Sequence, residues 1–235
     1  MNNFVKVERK TQIRDAYHLT GSNGFYDGMI TCSTPAGRAV CRAVWGMNKE
    51  ETDAYLEKAL TGIPADFSGQ LLEVPVGTGI LTMPVYQTLP KADITCLDYS
   101  PEMMAQAQKK ATRLGLHNVC FRQGDVGALP FADRSFDTVV SLNGFHAFPD
   151  KEAAYKETYR VLKPGGVFCG CFYVQGAFAR TDWFVRYLYQ PMKFFTPPYE
   201  TMDSLKAKLE EMYDTVEIGN VKGIAWFVCR KGEAL

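Results

Sequence analysis

Two acids and two glycines at close spacing are the residues of this chain best suited to bind a ligand. Glu73 ends an apolar run, Gly77 and Gly79 follow it, and Asp98 ends the next apolar run, DITCLD. Glycines between a strand and a helix let the backbone approach a ligand closely. An acid after the second strand is where Rossmann-like folds hold a ribose. The spacing therefore predicts a nucleotide-like ligand, although Pro75 stands where such loops most often begin with glycine.

Two further polar clusters follow the third and fourth apolar runs of this region. They are Gly124-Asp125-Val126 and Asn143-Gly144-Phe145-His146. Ligands of open parallel sheets bind beyond the carboxyl ends of the strands, so all four clusters are expected to converge on one site. There Asp125 can accept a hydrogen bond from the exocyclic amine of adenine, and the Val126 N–H can donate to a ring nitrogen. Glu73 can attract an ammonium group, directly or through water.

Alternating strand-like and helix-like segments must position these residues. Strands are predicted at 70–76, 93–97, 118–122, 136–142 and 167–173, with a closing pair at 213–218 and 224–229. Ser100 and Asp150 are predicted N-caps, and a helix is expected to start near Thr78 although Pro84 lies within it. The pattern predicts an α/β fold with a Rossmann-like, doubly wound, seven-stranded sheet. The sheet should be mostly parallel with an antiparallel closing strand.

The regions outside the sheet predict a cap and a lid. Residues 1–65 are expected to form a helical preface, with a helix at 50–60, that packs over the ligand edge of a core spanning 66–235. An insertion at about 176–212 carries many aromatic side chains. We interpret these as a mixture of core packing and an apolar lid over the substrate.

Composition restricts the classes of partner and compartment. Lysine plus arginine equals aspartate plus glutamate, 26 each, which argues against nonspecific binding to nucleic acid. The neutral charge and the lack of a basic amphipathic helix also disfavour a membrane surface as partner. No signal-peptide segment or run of about 18 apolar residues occurs, so no membrane span is expected. Seven cysteines without a C-x-x-C pair predict reduced thiols, no metal site and a cytoplasmic protein.

Two longer segments resemble a known family. The run GDVGALPFADRSFDTVVSLNGFHAFPD, residues 124–150, and the LKPGG at 162–166 look like class I S-adenosylmethionine-dependent methyltransferases. Within that class they are most similar to the small-molecule branch that includes the ubiquinone/menaquinone-biosynthesis methyltransferases. The resemblance covers about 67–173. The family pattern is acid-x-Gly-x-Gly-x-Gly, and this chain departs from it at Pro75, which has no N–H to offer a ligand.

The resemblance implies S-adenosylmethionine as cofactor and S-adenosylhomocysteine as product. The residues it implies around the cofactor are Glu73, Pro75, Gly77, Thr78 and Gly79 for the methionine part, Asp98 for the ribose, Tyr99, Asp125 and Val126 for the adenine, and Asn143, through its backbone, near the reactive end. The implied reaction is in-line displacement of the methyl group onto a small, apolar or aromatic acceptor. His146 is the candidate catalytic base, with Tyr17 and Tyr26 as further candidates.

Two alternatives stay open at this point. The chain could bind the cofactor without methyl transfer, because Pro75 replaces a glycine and no catalytic residue is unmistakable. It could also be a nicotinamide-dependent oxidoreductase. The second alternative is disfavoured because Thr82 stands where the G-x-G-x-x-G motif needs its third glycine.

Overall fold

Seven strands form one sheet in a computed structural model that describes residues 25–233, with side chains from residue 27. The strands are β1 Gln70–Glu73, β2 Asp93–Asp98, β3 Val119–Gln123, β4 Phe136–Leu142, β5 Leu162–Tyr173, β6 Thr215–Val221 and β7 Ile224–Arg230. Their order across the sheet is β3-β2-β1-β4-β5-β7-β6. The first five strands pair in parallel, and β7 runs antiparallel to both β5 and β6. The predicted sheet is confirmed.

Eight helical segments connect or flank these strands among the described residues. They are α1 Phe25–Ile30, α2 Pro35–Val40 with a π-helical turn at Cys41–Trp45, α3 Lys49–Leu60, α4 Met83–Tyr86, α5 Pro101–Arg113, α6 Lys151–Val161, α7 Ala179–Phe184 with a π-helical turn at Val185–Tyr189, and α8 Met202–Met212. Both predicted caps are confirmed, since the Met103 N–H donates to Ser100 Oγ and the Ala153 N–H donates to Asp150 Oδ1. None of these helices has the length and apolar character needed to cross a membrane.

Helices cover both faces of the sheet because its central strands are apolar on both sides. Leu71 of β1 belongs to one buried cluster with α3, α4 and α5, whereas Leu72 belongs to a second cluster with α6 and α8. Cys169 and Cys171 lie fully buried in the first cluster. This doubly wound arrangement leaves the carboxyl ends of the strands accessible between the two helical layers.

The helix expected after β1 begins later than predicted. It begins at Met83 rather than near Thr78 and ends at Tyr86, with Pro84 in its first turn. Proline is tolerated there because the first N–H groups of a helix have no partner within it. The residues from 74 to 82 therefore form an irregular loop at the sheet edge. β5 begins earlier than the predicted residue 167. It starts at Leu162, which pairs with Phe136 of β4.

The described helices of the N-terminal preface lie at two different places on the sheet. The described helix α1 lies at the ligand edge, where Asp27 bonds to Thr78, but α3 packs against β5 and β7 on a face of the sheet. The division of the chain at residue 65 stays a prediction. The expectation that all cysteines are reduced is wrong, because a disulfide joins Cys32 and Cys41, whose Cα atoms are 6.4 Å apart. Their pairing depends on how α1 and α2 pack, which cysteine spacing did not reveal.

Candidate functional site

One cavity lies beyond the carboxyl ends of β1, β2, β3 and β4. The space inside it is about 1060 Å³ when the open solvent at its mouth is included. The wall contains all the residues predicted to surround the cofactor: Glu73, Pro75, Gly77, Thr78, Gly79, Asp98, Tyr99, Asp125, Val126 and Asn143. Four strand ends thus bring together residues that are up to 70 positions apart in the chain. Their individual roles toward a cofactor stay predictions.

Asp98 occupies the centre of this arrangement. It is only 7% exposed, and its two carboxylate oxygens accept from different backbone groups: Oδ2 from the Gly77 N–H at 2.7 Å and Oδ1 from the Ser100 N–H at 2.8 Å. Burial raises the pKa of this carboxyl to about 6, while the backbone hydrogen bonds oppose that shift. Each oxygen keeps a further lone pair, so Asp98 can accept from both hydroxyls of a ribose while it holds the loop at Gly77.

The two loop glycines are required for different reasons. Both have positive φ, +55° at Gly77 and +67° at Gly79, in the left-handed region that favours glycine. A Cβ at Gly77 would meet no heavy atom within 4 Å, so the backbone there borders open cavity space. A Cβ at Gly79 would lie 2.9 Å from the Met83 side chain. Gly77 therefore leaves room for a ligand, and Gly79 leaves room for the start of α4.

Glu73 is a buried acid with neutral partners. The Tyr86 hydroxyl donates to Glu73 Oε2 at 2.9 Å, and the Cys96 thiol donates to the same oxygen at 3.5 Å. Burial raises the pKa of Glu73 to about 8, so the carboxyl is protonated in the ligand-free protein at neutral pH. Tyr86 and Cys96 were not predicted as site residues. Cys96 could have been found, because it lies two residues before Asp98 on the same strand.

Pro75 fits the cavity wall because a glycine faces it. A Cβ on Gly144 would lie 2.4 Å from Pro75 Cδ and 2.7 Å from the Phe148 ring. The backbone on either side of the proline is bonded to neighbouring strands, through Val74 N–H to the Val140 oxygen and Val76 N–H to the Leu97 oxygen. These bonds hold the loop without an N–H at position 75.

The other adenine-side and reactive-end residues are held by their own loops. The Gly127 N–H donates to Asp125 Oδ1 at 3.0 Å, which sets the turn that carries Val126. Asn143 has a φ of +54°, a region that asparagine tolerates better than most residues, and its N–H donates to the Cys171 oxygen. Tyr99 is half-exposed at the cavity mouth. The wall is therefore built mainly from backbone whose course is set by internal hydrogen bonds.

Asp27 of α1 links the preface to the cofactor loop, a contact that was not predicted. Its Oδ1 accepts from the Thr78 hydroxyl at 2.5 Å, and its Oδ2 lies 2.8 Å from Lys110 Nζ of α5. Ile30, at the end of α1, is part of the cavity wall. Because 51 residues separate Asp27 from Thr78, no local pattern in the sequence reports this contact.

His146 lies behind the cavity wall and is not part of it as described. Its Nδ1 accepts from the Tyr173 N–H at 3.4 Å, and its ring stacks on Phe195 with the centroids 4.1 Å apart. Burial lowers the pKa of this imidazole to about 3, so the ring is neutral at ordinary pH. The geometry describes a packed, hydrogen-bonded side chain, and catalysis by His146 stays a prediction. Tyr17 and the Tyr26 side chain lie outside the described residues.

Aromatic rings from separate elements pack beside His146. Trp45 of the α2 turn stacks near Tyr189 of the α7 turn, and Tyr189 stacks on Phe195 with centroids 5.4 Å apart. Tyr173, at the end of β5, meets both Phe195 and Tyr199 edge-on. Such offset and edge-on pairs stabilise a cluster beyond the area they bury. The inner side of the aromatic segment is therefore packed core next to the site.

Comparisons with known proteins agree with this geometry. A family model described as "Methyltransferase domain" matches residues 71–166. A demethylmenaquinone methyltransferase of Thermus thermophilus is 42% identical over 118 residues, which cover 50% of this chain and 50% of that protein. A 2-methyl-6-phytyl-1,4-hydroquinone methyltransferase of Oryza sativa is 33% identical over 146 residues, covering 61% of this chain and 40% of that protein. The matched segments thus span half or less of these relatives.

A solved structure shares the fold. It is a SAM-dependent methyltransferase of Thermotoga maritima, described as a possible histamine N-methyltransferase. It superposes with a TM-score of 0.60 at 19% identity, covering 77% of this chain and 90% of that one. The sheet order, the matched family model and the sequence relatives agree. Residues 71–166 match a methyltransferase domain, and the chain resembles class I S-adenosylmethionine-dependent methyltransferases, those that act on quinones among them.

Proposed function

We propose that this chain transfers the methyl group of S-adenosylmethionine to a small, apolar and aromatic acceptor. The observation that carries the proposal is the cavity in which Glu73 and Asp98, both buried, flank a loop bordered by open space at Gly77. The pair fits the two ends of the cofactor, since Glu73 suits the ammonium group and Asp98 suits the ribose hydroxyls. Asp125 would accept from the adenine amine.

The protein's contribution to the reaction is binding and orientation. When bound, S-adenosylmethionine supplies a methyl group already activated on a sulfonium, ready for in-line displacement. The cavity wall near the end of β4 presents Leu142, Ala147, Phe148 and Pro149, which suit an apolar acceptor and exclude water. The names of the two quinone-type relatives support an aromatic ring as acceptor. No proton transfer is assigned to His146, because its buried ring is neutral and packed.

Calorimetric titration of S-adenosylmethionine tests the cofactor assignment. Asp98→Ala should weaken binding by about 1–3 kcal/mol, because the ribose loses its acceptor. Asp93→Ala is the matched control, since Asp93 lies exposed at the opposite end of the same strand. Asp98→Asn checks that the loss does not come from the loop alone. Equal affinities of Asp98→Ala and the wild type would refute the ribose assignment.

Methyl transfer is tested with a panel of acceptors. Mass spectrometry should detect a methylated product with hydroquinones and naphthoquinols, and S-adenosylhomocysteine should form in equal amount. Binding of the cofactor without any product would favour the second candidate, a cofactor-binding protein without turnover. One observation favours that candidate, because the described cavity wall contains no histidine, lysine or arginine that could act on an acceptor. The methyltransferase-domain match leaves the nicotinamide-dependent alternative without support.

A further inference from the structure

The predicted lid segment, at about 176–212, carries exposed aromatic and apolar side chains. Five large apolar side chains are exposed among the described residues, and four of them lie within residues 183–192. These four, which we call the lid patch, are Trp183, Tyr187, Leu188 and Met192, between 42% and 58% exposed. The fifth, Tyr99, belongs to the cofactor cavity. Large apolar groups concentrated in one exposed segment indicate a contact surface.

Three cations lie within or next to the lid patch along the chain. Arg180, Arg186 and Lys193 flank it, and none of the three has an acidic ion-pair partner among residues 25–233. The only acid between positions 179 and 193 is Asp182. Asp182 accepts hydrogen bonds from the Tyr173 hydroxyl at 2.7 Å and from the Gly176 N–H at 3.1 Å, so its carboxylate is engaged by these two groups and not by the three cations. The outer surface of the lid is therefore locally cationic in a chain whose net charge is zero.

We propose that the lid patch docks the protein on the surface of an anionic lipid bilayer. Tryptophan and tyrosine favour the headgroup level of a bilayer, where their rings are partly buried and their polar atoms stay wet. Leucine and methionine add apolar area, and flanking arginine and lysine are attracted to anionic lipids. A net charge of zero and the lack of a basic amphipathic helix in the sequence disfavoured a membrane surface, but net charge does not detect cations and apolar side chains that are concentrated within one segment.

The lid patch lies on a helical segment that also packs beside the proposed site. The inner residues of the same helix, Val185 and Tyr189, pack in the cluster that includes Trp45 and Phe195 beside the cavity. A bilayer contact at the outer side would therefore lie on the opposite surface of the element that borders the site. Docking there would bring a lipid-dissolved acceptor to the lid, although the binding itself does not depend on the proposed methyl transfer.

Co-sedimentation of the full chain with vesicles tests the proposal. The protein should pellet with phosphatidylcholine vesicles that contain phosphatidylglycerol, much less with phosphatidylcholine alone, and less as salt rises. Arg186→Glu should lower partitioning by at least about fivefold, the effect of one lost cation near an anionic surface. Lys109→Glu, an exposed lysine on α5, is the matched control and should bind like the wild type. Vesicles should also shift the fluorescence of Trp183 to the blue, and Trp183→Phe should lose that shift.

Three outcomes would overturn the proposal. They are no pelleting with anionic vesicles, equal binding to neutral and anionic vesicles, and an equal loss in Lys109→Glu and Arg186→Glu. Self-association that is abolished by Tyr187→Ser, without vesicle binding, would assign the patch to a second copy of the chain instead. Calorimetric binding of S-adenosylmethionine by each variant confirms that it is folded. A loss of vesicle binding in a variant that still binds the cofactor is therefore specific to the lid.

Discussion

Binding of S-adenosylmethionine should expel a proton from Glu73, and Glu73→Gln should abolish that release. Burial raises the pKa of Glu73 to about 8, and the Tyr86 hydroxyl and the Cys96 thiol contact its Oε2. Below pH 8 the carboxyl of the ligand-free protein is therefore neutral. An ammonium group in the cavity favours the carboxylate. Binding at neutral pH must then release the proton that Glu73 carries.

The expected release follows from the two buried acids of the cavity. At pH 7, a group with a pKa of about 8 is roughly 90% protonated, so Glu73 releases about 0.9 proton. Asp98, with a pKa of about 6, adds at most about 0.1. Linkage then makes the affinity rise as pH increases toward 8, and the affinity should fall again above that pH, where the free ligand's α-amino group, with a pKa of about 7.7–8.0, loses its proton. The same raised pKa makes the ligand-free fold lose stability as pH rises from 4.5 to about 8, because the folded state binds the proton more tightly.

Calorimetry in two buffers of different ionisation enthalpy measures the released proton directly. The wild type should release about one proton at pH 7, and Glu73→Gln about a tenth of that. Glu57→Gln, an exposed glutamate of α3, is the control and should behave as the wild type. A wild-type release near zero, or an unchanged release in Glu73→Gln, would refute the assignment of Glu73 to the ammonium group.

Three further variants test other contacts of the site. Gly144→Ala places a Cβ 2.4 Å from Pro75 Cδ and 2.7 Å from the Phe148 ring and should cost about 1–3 kcal/mol in urea unfolding, with only partial recovery when Pro75→Gly is added, because the clash with Phe148 remains. Asp27→Ala should weaken cofactor binding roughly fivefold in calorimetry, because the hydrogen bond that Asp27 accepts from Thr78 in the cofactor loop is lost. Asp53→Ala, which removes only an exposed ion pair, is the control and should leave the affinity unchanged. Equal effects of the two variants would contradict a role of the Asp27–Thr78 contact in cofactor binding. His146 has a lowered pKa of about 3, so its stabilising effect is present above pH 6.5 and lost as pH falls toward 3. His146→Asn should flatten that loss in acid unfolding and retain turnover. Lost turnover with intact cofactor affinity would establish catalysis by His146.

Local signals were sufficient wherever the controlling interactions are close in the chain. The bounds of β4 were predicted as 136–142 and are observed as Phe136–Leu142. The caps at Ser100 and Asp150 were predicted because a cap bonds to an N–H three residues away. The convergence of the strand-end clusters also followed from the sequence, since parallel strands joined by helices all end at one edge of the sheet.

The amino-acid sequence by itself determined the sheet, its helical layers and ten of the residues that line one cavity. Tertiary structure decided what those residues do there. Burial raises the pKa of Glu73, so the acid is neutral and accepts a hydrogen bond from Tyr86. His146 is buried outside the cavity wall. Asp27 reaches Thr78 across 51 positions. Desolvation and long-range contacts depend on what the whole chain packs around a group, so periodicity and spacing cannot report them.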